Sequence, residues 1–194
     1  MKKRKRSYTL RARGEKVAET RARIAQATME LHAEVGPRET TISAIASRAG
    51  VERLTVYRHF PDERSLFAAC SARFVESNPP PDPATWAAEN EAVARARRAL
   101  RALYAYFSRT HPMLSKLYRD VGDIPALQEV MRQFDGYLAG VAKDLANAWP
   151  RGGRALEAAA RHAVRFATWN SLEAEGLSDA EKARIIAAWL AALA

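Results

Sequence analysis

Arg53, Thr55, Tyr57, Arg58 and His59 fall within seven residues of a 194-residue chain, a run rich in hydrogen-bond donors and free of carboxylates. A guanidinium donates bidentately to guanine in a DNA major groove, and a threonine meets either a thymine methyl or a phosphate. Arg53 is the candidate for base readout; Arg58 serves equally for a base or a phosphate. Other chemistries lack their parts. His32, His59, His111 and His162 show no His-x-x-x-His or His-Cys spacing, and no glycine pattern suits a phosphate or dinucleotide. Cys70, the single cysteine, excludes an internal disulfide and stands beside Ala68, Ala69 and Phe74, which suits a packed thiol better than a nucleophile. No catalytic residue, metal ligand or cofactor is expected.

Such a donor run needs a scaffold that holds it outward. Ile42, Ile45, Ala46 and Ala49 recur at the spacing of one helical face, with Thr41 as N-cap and Gly50 where the helix must turn left-handed. A second short helix follows from Glu52 to His59, with Leu54 and Val56 as apolar atoms to bury and Phe60 as a core anchor. Two helices across a tight glycine turn form a helix-turn-helix, whose second helix enters the major groove. Ahead of it, Ile24, Ala27, Leu31 and Val35 predict a helix from Val17 to Val35, ended by Gly36 and Pro37. Behind it, Pro61 and Asp62 open a helix with Leu66, Phe67 and Phe74 on its inner face.

The ordered set Ile24, Ala27, Leu31, Gly36, Thr41, Ile45-Ala46, Ala49-Gly50-Val51, Thr55, Tyr57, His59-Phe60 and Leu66 resembles the TetR-type one-component bacterial transcription regulators, over roughly positions 20 to 70. The resemblance implies an all-α chain of about nine helices. A three-helix DNA-binding head with a connecting helix would precede a C-terminal effector-binding and dimerisation domain. It implies a phosphate contact from Thr41, with Ser43 beside it, and backbone contacts from Tyr57 and His59. The chain departs from the pattern at Glu52, where a small capping serine is usual, at Leu54, where glycine is usual, and at Glu63, which replaces a phosphate-touching lysine and leaves Arg64 beside it. Operator preferences of similar proteins therefore do not transfer.

Charge is segregated accordingly. Residues 1–75 carry 16 Lys or Arg against 8 Asp or Glu, whereas residues 76–194 carry 15 against 14. The excess sits where a polyanion would be met. Residues 1–16 read as a disordered basic arm, with Lys5 and Arg6 among its candidate phosphate or minor-groove contacts. Residues 17–78 form the DNA-binding domain, the proline-rich stretch 79–83 a linker, and 84–194 the second domain. No uncharged apolar run approaches the roughly 20 residues of a membrane span, and the start lacks a signal-peptide core, so a cytoplasmic protein is expected.

Beyond the linker, Val93, Ala96, Leu100, Leu103 and Phe107 predict a helix ending before His111-Pro112. Ile124, Leu127, Met131, Phe134, Leu138, Val141 and Leu145 predict another, and 153–175 and 178–193 two more. The resemblance implies that the last two helices pair into a homodimer, which would read a roughly palindromic operator. Tyr104, Phe107, Met113, Leu117, Tyr118, Met131, Phe134, Tyr137, Trp169 and Asn170 would line an apolar small-molecule pocket, or else form ordinary core. Arg95, Arg97, Arg98 and Arg101, with Glu91 four before Arg95, read as a solvated face or an anion receptor.

The expected function is a sequence-specific transcriptional regulator, most simply a repressor answering to a small molecule. A ligand-independent architectural DNA binder is the alternative, and an enzyme using the C-terminal cavity a weaker third. Removal of residues 1–13 is expected to flatten the dependence of duplex-DNA affinity on salt, measured as the slope of log K against log salt.

Overall fold

The computed structural model describes the backbone of residues 2–194 and the side chains of residues 13–194. Every regular element among the described residues is helical: ten α-helices and one short 3-10 turn. They gather into two compact units, the first of residues 1–77 and 115–130, the second of residues 78–114 and 131–194. Residues 115–130, early in the second half of the sequence, thus belong with the N-terminal helices.

In the first unit α1 (Lys2–Glu34), α2 (Ile42–Ala49), α3 (Arg53–His59) and α4 (Glu63–Ser77) surround a core of Ile24, Ala27, Leu31, Ile45, Ala46, Ala49, Val56, Phe60 and Leu66. Helix α1 begins well before Val17, so residues 13–16, expected in the arm, are helical. The arm contacts expected of Lys5 and Arg6 lie outside the described side chains. Val35 is 42% exposed rather than on the packed face, because the helix has already ended and Gly36 turns the chain at φ +94°.

That turn is shaped by residues 84 positions away. The Asp120 carboxylate is buried and accepts from the Arg119 Nε at 2.7 Å and the Arg38 backbone N–H at 3.1 Å. Arg119 donates through Nη2 to the Val35 carbonyl at 3.2 Å, and Arg38 pairs with Asp123. The backbone angle at Gly36 calls for glycine, and a Cβ there would also press on the ends of the Arg119 and Asp120 side chains. The Arg119 hydrogen bond holds the Asp120 carboxyl below the usual carboxylate range.

The second unit contains α5 (Ala84–Ala87), most of α6 (Ala92–Asp120) and α7 (Pro125–Asn147), and all of α8 (Arg154–Ala163), α9 (Phe166–Glu173) and α10 (Asp179–Ala191). Helix α6 does not stop before Pro112 but runs through it. Proline removes one ladder bond, and buried Tyr106, Phe107, Thr110, Met113 and Leu114 on either side hold the helix together regardless. The single helix expected over 153–175 is two. Arg165 is extended at φ −76°, ψ 143°, and carbonyls at the break accept from Tyr104 Oη (Ala163, 2.8 Å) and Thr168 Oγ1 (His162, 2.6 Å). Arg95 is no solvated side chain: its guanidinium pairs with Asp144, which also accepts from Trp86 Nε1 at 3.0 Å, while Glu91 caps α6 through the Val93 N–H. The Lys182 ammonium is buried, pairs with Glu173 and Asp179, and lies 5.3 Å from the Trp169 ring centre.

Burial shifts two further groups of the first unit. Burial against Phe67, whose ring centre is 5.0 Å away, lowers the His32 imidazole to about 4, with Asp120 opposing weakly. Burial likewise pushes the Cys70 thiol up to about 12. Because the folded pKa of His32 lies below its unfolded value, its contribution is complete above about pH 6.5 and is lost as pH falls toward 4. The first unit is expected to lose about 3 kcal/mol across that window, read as exchange of the α1 and α4 amides, and His32→Leu to remove this dependence.

Candidate nucleic-acid interface

The turn between α2 and α3 fixes what α3 presents. Thr41 is extended at φ −100°, ψ 153°, and its hydroxyl accepts from the Ala44 N–H at 3.1 Å, capping α2. At the other end Gly50 is left-handed (φ 63°, ψ 45°). Its N–H donates to Ser47 and the Val51 N–H to Ala46, at 3.2 and 3.0 Å, which closes the helix and reverses the chain. Glu52 precedes α3 without a side-chain capping bond, as expected for a carboxylate one methylene too long; its carbonyl accepts from the N–H groups of Thr55 and Val56.

Seven residues make a helix too short to persist alone, so α3 depends on its buried face. Val56 is fully buried and Phe60 nearly so. The opposite face then carries Arg53, Leu54, Tyr57 and Arg58, all exposed, with Thr55 and His59 half-buried at its edges. Leu54, expected to help bury the helix, is 58% exposed: it is two residues from Val56, about 200° around the helix. Thr41 and Ser43 are exposed at the start of α2. The structure therefore leaves seven of the nine proposed DNA contacts at or near the surface of one short stretch, and the other two, Lys5 and Arg6, outside the described side chains.

Two positioning residues escape the sequence argument, and a third, Arg64, gains a partner it could not name. Arg21 of α1 lays its guanidinium 4.1 Å from the Phe60 ring centre and donates to the His59 carbonyl, clamping the C-terminal end of α3. Its one sequence signal is that it stands a turn before Ile24 on the same face of α1. Arg48 of α2 makes a two-point bond to Glu34, both arms at 2.8 Å, which draws the Glu34 carboxyl below its ordinary range. Arg64, beside the departure at Glu63, pairs with Glu129 at 3.0 Å.

The proposed effector residues are distributed unevenly. Leu117 and Tyr118 fall in the 115–130 segment of the first unit, and Asn170 is exposed on α9. In the second unit Tyr104, Phe107, Phe134, Tyr137, Phe166 and Trp169 form a chain of ring contacts with centres 5.4–6.4 Å apart, flanked by buried Met113 and Met131. Their polar atoms are engaged within the unit: Tyr104 Oη on Ala163, Tyr137 Oη on the Pro81 carbonyl at 2.7 Å, and Trp169 Nε1 on Asp179 at 3.0 Å. Burial pushes the Tyr104 and Tyr137 hydroxyls above their ordinary range.

Comparison with known proteins agrees with this geometry. Residues 24–70 match the family described as bacterial regulatory proteins, tetR family. An uncharacterized HTH-type transcriptional regulator of Mycobacterium tuberculosis strain H37Rv is 44% identical over 52 residues, 27% of this chain and 28% of that protein. The match thus spans little more than a quarter of that relative's own length. Among solved structures, a transcriptional regulator of Rhodococcus sp. Rha1 superposes with a TM-score of 0.62 at 21% identity, covering 88% of this chain and 95% of the other. A multidrug binding protein, EbrR, complexed with imidazole gives 0.57 at 21% identity, covering 89% of each. At such identities the structures establish a shared fold.

Arg21→Ala is expected to cost about 1 kcal/mol of stability in the first unit, measured by chemical denaturation, and to raise hydrogen exchange selectively at the end of α3.

Proposed function

We propose that this chain, a transcription regulator of the tetR family by its DNA-binding domain and its fold, is a cytoplasmic homodimeric repressor whose affinity for a roughly palindromic operator changes when a small molecule occupies its second unit. The observation that carries the DNA-binding part is the outer face of α3. Two arginines, a tyrosine and a leucine stand exposed on a helix whose other face is locked into the core, within the first 75 residues, which hold nearly all the excess positive charge. Arg53 reads a base, and Thr41, Ser43, Tyr57 and His59 position the helix on phosphates, with Arg58 on either. Residues 17–78 act as the reading head and residues 84–194 as the regulatory and dimerising body, joined through 79–83.

Dimerisation is supported by the second unit's last helices. Packed α8 and α10 leave small and apolar residues uncovered, Ala155 and Ala158 on one and Ala188 and Trp189 on the other, with Leu193 just past its end. Two-fold pairing would present two copies of α3 to two half-sites and multiply the contacts one short helix can make. The fold shared with EbrR, a multidrug binding protein, supports a small-molecule effector, which we place in the second unit. With its rings already in contact and its hydroxyls engaged, a ligand there has to displace packed side chains. That displacement is the differential interaction through which it shifts DNA affinity, commonly by ~1 to 3 kcal/mol.

Gel-shift titration of a random duplex pool, repeated with candidate lipophiles, tests the reading; equal binding to every sequence would leave the architectural alternative. Arg53→Ala is expected to cost about 1 to 3 kcal/mol on the selected operator and to flatten preference at one base pair, whereas Thr41→Val is expected to weaken binding uniformly across sequences.

A further inference from the structure

Water-exposed leucine is an odd occupant for the centre of a polar helix face. Seven large hydrophobic residues are substantially exposed among the described residues, and two of them, Leu54 at 58% and Tyr57 at 47%, share the outer face of the seven-residue α3. Tyr57 has a hydroxyl to offer solvent or phosphate; Leu54 has neither donor nor acceptor. Val56 and Phe60 already anchor the helix, so Leu54 is not needed for folding, and its neighbours Arg53, Tyr57 and Arg58 are all exposed with it. A side chain of this kind gains only when an apolar surface is brought to it. The major groove offers one such feature on its base edges, the C5-methyl group of thymine.

We propose that Leu54 is a specificity-determining residue that packs its isobutyl group on a thymine methyl, within one or two base pairs of the base read by Arg53. This rests on the reading of α3 as the groove-entering helix and adds to it a definite demand on the operator. Leu54 has no hydrogen bond with which to accept cytosine in place of thymine, so the two pyrimidines are separated by the methyl alone. Arginine and leucine side by side then divide the work: a directional polar contact fixes register, and a methyl contact selects thymine at the neighbouring step.

The test starts from a duplex enriched by the full-length chain out of a random pool. Each thymine is then replaced singly by deoxyuridine, which deletes the methyl and leaves pairing intact. One position per half-site is expected to lose about fourfold in affinity, the worth of burying one methyl-sized group. Leu54→Ala, at an exposed site that alanine suits, is expected to bind the thymine duplex more weakly and to show no further loss on the uracil duplex, while Leu54→Met keeps the discrimination. A wild-type chain indifferent to every uracil replacement would overturn the proposal, as would a Leu54→Ala chain that still distinguishes thymine from uracil. Failure to enrich any sequence would instead remove the groove-reading role of α3 itself, and Leu54's role with it.

Discussion

The arrangement of the first unit hangs on the burial of Val56 and Phe60. A helix of seven residues has too few internal hydrogen bonds to offset the entropy of nucleating it, so α3 exists because these two side chains complete the core formed by Ile24, Leu31 and Ile45. Their burial also decides orientation. With the 56/60 edge inward, the 53/54/57/58 edge has nowhere to go but outward, and the donors that define the candidate interface are presented by a packing constraint.

A second constraint operates at the turn before α2. Gly36 takes a left-handed angle against the Arg119 and Asp120 side chains, and Asp120, buried with its oxygens engaged by Arg119 and the Arg38 N–H, makes that turn a fixed object. Thr41, five residues later, inherits its place from it. Arg119 and Asp120 belong to the end of α6 that is counted with the first unit, whereas the longer part of that helix builds the second.

The second unit is built on different terms. Its aromatic residues touch one another and spend their polar atoms on carbonyls and a carboxylate of the same unit, and even its buried ammonium, Lys182, is paired. Ring-to-ring contact of this kind is a well-satisfied core, stable in the absence of any ligand.

Local chemistry made much of this legible in the chain itself. The Thr41 cap, the left-handed Gly50, the inward Ile45, Ala46, Ala49, Val56 and Phe60, the all-helical class and the packed thiol of Cys70 all follow from interactions within a few residues or from helical periodicity. Only the folded chain showed that Arg21 clamps the end of α3, that Asp120 shapes the turn at Gly36, that α6 survives Pro112, and that a break at Arg165 divides one expected helix into two. Each depends on partners 38 to 84 residues distant, or on burial strong enough to outweigh local propensity. Periodicity reports the face a helix buries, but it carries no information on which remote side chain comes to meet that face, because that pairing is set by how all the helices pack at once.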